Sequence, residues 1–362
     1  MVTRGIKWAR FGQHTARGYC ARGLAAGALV ASGCGSSADD DKTVVLKDTG
    51  TVTVLADTGL KVPTTVAIRG GTTAWVPEGQ LNHYVGADTG TPPDPFSVAS
   101  VPLAGGGVAS AAISLPGNDV YPEGIAAAAD GTLYVGSLKN GSVFKVPPGS
   151  TTATQFVADG VLKRGNLGLE VDAQRSLLWA CDSDPGQMMP GGDIVGIKLS
   201  DGTETVRHAM SPTSLCNDLI VDPSGNIWAT DSFGGNIYRI VAAEATTANS
   251  AKVWLNDPTL TPPTGGFGAN GIALVSGRLF VSVTASSTIT TTEQGLLVSV
   301  DPTSTTPASS LTVVNLTEGG ATLHLSGPDG IEALSATELL IVENGLFPPN
   351  KARLVKATFD IE

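Results

Sequence analysis

The sequence predicts an all-β protein, a six-bladed β-propeller whose last blade is closed by an N-terminal strand. Three observations lead to this prediction. The 362 residues include 45 Gly and 22 Pro spread along the whole length, which excludes coiled coils and helical bundles because both residues break helices. One hairpin motif occurs six times, and one strand near the N-terminus has no hairpin of its own.

The repeat is clearest from Asn217, where the sequence reads NDLIVDPSGNIWAT. Two apolar strands flank a turn of the Asp-Pro-Ser-Gly type, and a third strand, 237–240, follows. The first strands of the six copies open 44 to 59 residues apart, at Thr64, Glu123, Leu167, Asn217, Asn270 and Asp329. Six copies of three to four short strands at this period are typical of a β-propeller.

The closure of the ring follows from the two ends of the repeat. The last copy has only three strands before the chain ends at Glu362, whereas residues 51–55 (TVTVL) form a strand without a partner. We expect this strand to be the fourth of the last blade, because that pairing leaves no open sheet edge at the seam. Residues 46–362 are therefore predicted to form a single propeller domain.

The N-terminal segment predicts export. Residues 1–38 contain five Arg or Lys and no Asp or Glu, and an uncharged stretch, 23–33, precedes Cys34. Residues 1–34 resemble a bacterial signal peptide with a lipoprotein cysteine, and residues 35–45 form an acidic linker. We expect a periplasmic or cell-envelope protein that touches a membrane only through a lipid on Cys34. An Arg-rich transit peptide or a misplaced start codon is the alternative.

The formal net charge of −11 argues against nucleic acid and anionic membrane as partners. A small molecule is the expected partner, and a monomer the expected state. Cys181 ends the second strand of one copy and Cys216 opens the next copy. In an oxidising compartment the two could pair, or they could remain buried thiols.

Four of the six opening residues carry a side-chain oxygen: Glu123, Asn217, Asn270 and Asp329. The first strand of each blade lines the channel of a propeller, so these oxygens are expected to ring one mouth. Hard oxygen donors without sulfur or imidazole suit Ca²⁺ best, with Mg²⁺, Mn²⁺ or Zn²⁺ as alternatives. Turn formation also explains Asn and Asp at strand ends. However, the other turns of these blades do not place such residues at one shared position of the repeat.

Four motifs carry a resemblance to a known family: PEG around Glu123, CNDLIVDPSGNIWATDS around Asn217, ANGIAL around Asn270 and GPDGIEAL around Asp329. The chain resembles the senescence-marker-protein/gluconolactonase (regucalcin-like) family, six-bladed propellers that hydrolyse lactones with a divalent metal in the channel. The resemblance implies that these four residues bind the metal and that Asp218 steadies the site. It also implies that Asp329 is the catalytic base or proton shuttle.

Two features depart from the family pattern. The blade without a ligand comes first, at Thr64, and the Asp329 blade comes last, which resembles a circular permutation of the seam. The family's substrate-orienting Arg and Glu have no counterpart in this sequence, so sugar-acid lactones are not implied.

Three functions compete. The leading hypothesis is an exported, metal-dependent hydrolase of lactone or ester bonds. The alternative is a non-catalytic envelope propeller in which a structural metal stiffens the channel while another face binds a protein or glycan. A strictosidine-synthase-like or lyase propeller, the third, would need a catalytic Glu or His in the channel without a metal. His324 is a further candidate for proton transfer, although a loop histidine explains it equally well.

Overall fold

A computed structural model describes residues 44–88, 95–105, 107–186, 188–289, 295–346 and 351–362. These residues form 26 β-strands and one short α-helix, α1 (Leu81–Tyr84). The strands group into six sheets, each antiparallel from its innermost strand outward for four strands. The predicted all-β six-bladed propeller is confirmed.

The first three blades follow the chain order. Their strands, from the channel outward, are β2 (Ala67–Arg69), β3 (Thr73–Pro77), β4 (Ser97–Pro102) and β5 (Ser110–Ser114); β6 (Pro122–Ala127), β7 (Leu133–Ser137), β8 (Val143–Val146) and β9 (Thr154–Val157); and β10 (Gly165–Asp172), β11 (Leu177–Ser183), β12 (Gly192–Lys198) and β13 (Glu204–Ala209).

The last three blades complete the ring. Their strands are β14 (Cys216–Val221), β15 (Ile227–Asp231), β16 (Asn236–Ile240) and β17 (Lys252–Asn256); β18 (Ala269–Val275), β19 (Arg278–Val283), β20 (Leu296–Val300) and β21 (Thr312–Val313); and β24 (Pro328–Ala333), β25 (Glu338–Glu343) and β26 (Arg353–Ile361), closed by β1 (Leu46–Ala56).

The seam of the ring is closed by β1, as the sequence predicts. This strand runs antiparallel to β26, with Val52 opposite Ala357. The sixth blade also has two strands that the sequence does not predict, β22 (Asn315–Glu318) and β23 (Ala321–Leu323), and β22 pairs in parallel with β1. The N-terminal strand is therefore an inner member of a six-stranded sheet, and its outer edge is covered.

A repeated β-bulge shapes the channel ends of five innermost strands. In the fourth blade, Cys216 pairs with Asp231 and Leu219 pairs with Ala229, so Asn217 and Asp218 together face a single residue. The innermost strands of the second, third, fifth and sixth blades carry the same irregularity. A bulge changes the direction of the side chain that it displaces, and in these five blades it displaces the residue that opens the repeat.

Glycine follows the opening residue in four of these bulges because neighbouring strands approach closely around the channel. A Cβ at Gly124 would collide with the backbone oxygen of Leu167 in the next blade, and one at Gly271 would lie 2.6 Å from the backbone nitrogen of Ile331. These glycines are needed for close approach, since their φ angles are not in the left-handed region.

The predicted signal peptide, Cys34 and most of the acidic linker lie outside the described residues. Among the residues that are described, no helix has the length and apolar character needed to cross a membrane.

Candidate metal and active site

The four opening residues with side-chain oxygens meet at the boundary between two voids in the channel. One void is small, about 10 Å³, which is close to the space of a single water molecule or ion. The other is a cavity of about 350 Å³ that opens toward the mouth. The residues that line both are Glu123, Asn217, Asn270 and Asp329. All four are at least nine-tenths buried.

Both asparagine side chains are oriented by hydroxyl groups that lie directly after the second strand of the same blade. Asn217 Nδ2 donates to Ser232 Oγ (2.9 Å), and Asn270 Nδ2 donates to Thr284 Oγ1 (2.9 Å). Each hydroxyl donates its own proton to a backbone carbonyl, that of Ala269 or Pro328, so it accepts from the amide.

The amide oxygen of Asn270 is thereby left free beside the void. Asn270 Oδ1 is buried and has no hydrogen-bond partner among the described residues. A buried acceptor without a partner costs about 1–3 kcal/mol unless something occupies the void beside it, and a cation is a suitable occupant.

Asp329 is held in the same way by a residue that the sequence analysis did not single out. Asn344 Nδ2 donates to Asp329 Oδ2 (3.0 Å), and Asn344 Oδ1 accepts from the backbone N–H of Leu346. Asn344 follows β25 as Ser232 follows β15 and Thr284 follows β19. Alignment of the positions directly after the second strands, in addition to the opening residues, would have found all three.

The carboxylates of the ring repel one another. Burial raises the pKa of Glu123 well above its ordinary value, and the charges of Asp329 and Asp218 add to this effect. Burial also raises the pKa of Asp329 to about 7, although hydrogen bonds from Asn344 and Asn270 act to lower it. Buried acids with no cation beside them favour the protonated form, and a divalent ion would reverse this preference.

Asp218 occupies the bulge position that is glycine in the other four bulged blades. Its Oδ1 accepts from the backbone N–H of Leu219 (2.8 Å), and its Oδ2 accepts from the N–H of Ile272 (3.1 Å) in the next blade. Burial raises its pKa to about 7. Asp218 lines the small void but not the upper cavity, so it supports the ring from below.

Two further carboxylates lie deeper in the channel, around a void of about 160 Å³ that Asp218 also lines. Burial raises the pKa of Glu332 to about 8, helped by the charge of Asp218. Burial and the charge of Glu332 raise the pKa of Glu170. The sequence analysis did not identify Glu170 or Glu332, although each lies three residues after the opening residue of its repeat, Leu167 or Asp329.

Cys181 and Cys216 form a disulfide that joins β11 to β14 across neighbouring blades, with their Cα atoms 5.2 Å apart. Cys216 directly precedes Asn217, so the bond anchors one member of the ring. His324 lines a separate depression near β22 and β23 and does not contact the upper cavity.

The ring fits a divalent cation by the chemistry of its donors. Two carboxylates and two oriented amide oxygens suit Ca²⁺, which accepts six to eight oxygens and leaves positions for water or substrate. No group of three or more His, Cys, Asp or Glu side chains with metal-binding placement occurs among the described residues, and half of this donor set is asparagine.

Comparison with known proteins supports the fold more than a function. The strictosidine synthase-like N-terminal family matches residues 109–146, a segment that includes Glu123 and most of the second blade. No curated protein matches the sequence.

Several solved structures share the fold at low identity. Regucalcin from Agrobacterium tumefaciens, described as a calcium-binding protein, matches with 12% identity and a TM-score of 0.60, over 87% of this chain and 97% of its own. A streptogramin B lyase matches with 13% identity and a TM-score of 0.52, over 85% and 97%. A PQQ-bound aldose sugar dehydrogenase from Streptomyces coelicolor matches with 16% identity and a TM-score of 0.54, over 87% and 100%.

Proposed function

We propose that this protein is a metal-dependent hydrolase of lactones or esters that belongs with the regucalcin-like and strictosidine synthase-like propellers. The observation that carries the proposal is the set of four oxygen-bearing residues shared by an ion-sized void and a substrate-sized cavity. The seam differs from that of typical members, and we propose that it has been circularly permuted.

Glu123, Asn217, Asn270 and Asp329 would hold one divalent ion, with Ca²⁺ the best match to their chemistry. A bound ion of this kind supplies Lewis acidity, which polarises a carbonyl and lowers the pKa of water.

The chain's own side chains would orient the ligands and move the proton. Ser232 and Thr284 keep the amide oxygens of Asn217 and Asn270 turned inward. Asn344 orients Asp329 through its Oδ2, and the carboxylate so held would accept a proton from the attacking water. Asp329 would then return that proton to the leaving alkoxide, and the apolar cavity wall would limit the access of bulk water.

We also propose that the protein is exported, as the N-terminal segment suggests. The Cys181–Cys216 disulfide supports this, because such bonds persist in oxidising compartments.

A metal-free propeller of the lyase or strictosidine synthase-like kind is the second candidate. It is favoured by the family match around Glu123 and by the pKa of that carboxyl, which burial and the charges of the neighbouring acids raise.

Hydrolysis of a panel of lactones and aryl esters, before and after chelation, separates these functions. We expect turnover that chelation removes and Ca²⁺ restores, and that Asp329→Ala abolishes. The control Asp301→Ala removes a half-buried turn carboxylate that accepts hydrogen bonds from Thr303, far from the ring in sequence, and should leave turnover intact. Turnover that survives chelation would favour the metal-free propeller, and a bound ion without any turnover would favour a binding protein.

A further inference from the structure

The cavity above the ring has an apolar wall. Its side chains come from loops at the channel mouth and from two ring-level positions: Leu81, Tyr84, Val85, Leu138, Leu167, Pro185, Phe267, Ala285 and Leu346. No Lys, Arg or His lines it among the described residues. Apart from the ring itself, the wall therefore offers no charged group to a substrate.

Two polar side chains of the wall, those of Asn344 and Thr284, are already engaged. Asn344 uses its amide nitrogen on Asp329 and its oxygen on the N–H of Leu346. Thr284 accepts from Asn270 and donates to the carbonyl of Pro328. A polyhydroxylated ligand would place much of its surface against apolar side chains here, and each hydroxyl group buried without a partner weakens binding.

Leucine occupies two positions where the other blades are polar. Leu167 opens the third repeat, where the neighbouring blades place Glu123 and Asn217. Leu138 follows β7, at the position that in the fourth and fifth blades holds the orienting hydroxyls. Both are 3% exposed and line the cavity. Apolar surface therefore begins at the level of the ring, beside the place of the reacting carbonyl.

We propose that the substrate carries a large apolar group next to its ester or lactone carbonyl, an alkyl- or aryl-substituted lactone or ester rather than a sugar-acid lactone. This proposal rests on the proposed hydrolase function. The carbonyl lies at the ring, and the alkyl or aryl group lies against Leu138, Leu167 and Phe267. Phe267 is supported from behind by Phe233, with ring centroids 5.6 Å apart.

The test compares γ-lactones of increasing alkyl length with glucono-δ-lactone. Each buried methylene contributes about 0.8 kcal/mol, so kcat/KM should rise about fourfold for each methylene until the cavity is filled. A rate for glucono-δ-lactone above that of the alkyl lactones would overturn the inference while leaving the hydrolase function standing.

Binding of the corresponding lactams, which resist hydrolysis, provides a readout that does not need turnover. Calorimetry should show that the Kd of alkyl lactams falls with chain length, and that Val85→Ser flattens this dependence. The matched control is Val253→Ser on β17, because the two valines are similarly exposed, at 48% and 50%. Lactam binding without lactone turnover would refute the hydrolase function alone, and no dependence on chain length would refute the apolar site.

Discussion

The buried carboxylates of the ring lead to a prediction about stability: without a metal, Asp329→Asn should make the protein more stable at alkaline pH. Asp329 is 5% exposed, and burial raises its pKa from 3.8 to about 7. A folded-state pKa above the unfolded value means that stability falls as pH rises from about 4 to about 7. The substituted amide cannot ionise and keeps an oxygen for the hydrogen bond from Asn344.

The magnitude follows from the shift. A difference of about three pKa units at about 1.36 kcal/mol each gives an upper value of about 4 kcal/mol above pH 8. Below about pH 3 the wild-type carboxyl is largely protonated in both states, and the difference between the two proteins should shrink to less than about 1 kcal/mol.

Urea unfolding in chelator, followed by the fluorescence of the buried Trp179 and Trp228, measures the difference in the free energy of unfolding between Asp329→Asn and wild type at high and low pH. Asp172→Asn is the control. Burial alone would raise the pKa of Asp172, but hydrogen bonds from Arg175 and Trp179 outweigh burial and lower it, so this substitution should destabilise. If Asp329→Asn were less stable than wild type at pH 8 in chelator, burial of the ionised Asp329 would not destabilise the folded protein as described.

Three further predictions concern the support of the ring. Thr284→Val should weaken Ca²⁺ binding about tenfold or more, measured by calorimetry, because the amide of Asn270 loses its orienting hydroxyl; unchanged affinity would contradict that role. Replacement of Cys181 and Cys216 by Ala should lower the free energy of unfolding by about 4 kcal/mol, the chain-entropy value for a bridge between residues 35 apart, and an unchanged urea midpoint would refute it. Gly124→Ala should destabilise by more than about 3 kcal/mol in thermal melts because its Cβ would collide with the next blade's backbone, and a wild-type melting temperature would show that the blades can separate there.

The repeat made the six blades and the position of the ring predictable from local signals. Hairpin turns and apolar strands recur at one period, and the oxygen-bearing residues occupy one register within it. The N-terminal strand was predictable because the last repeat lacks its fourth strand. The strands β22 and β23 were not, since both are short and β22 pairs with a segment more than 260 residues away.

The residues that orient the ring could not be inferred from the opening motifs alone. Ser232, Thr284 and Asn344 lie 14 or 15 residues after the side chains that they hold. Their contact depends on the β-bulge, which sets the register between the first and second strands of each blade. The apolar wall was equally hidden, because Leu81 and Tyr84 come from α1 in the first blade whereas Phe267 comes from the segment before β18.

The metal content of purified residues 35–362, measured by elemental analysis before and after chelation, tests the ring most directly. We expect about one Ca²⁺ or similar divalent ion per chain, removed by chelation, regained on dialysis against Ca²⁺, and absent from Asp329→Ala but present in Asp301→Ala. A chain that takes up no ion in millimolar Ca²⁺, or an Asp329→Ala variant that binds as wild type does, would contradict the ring as a metal site.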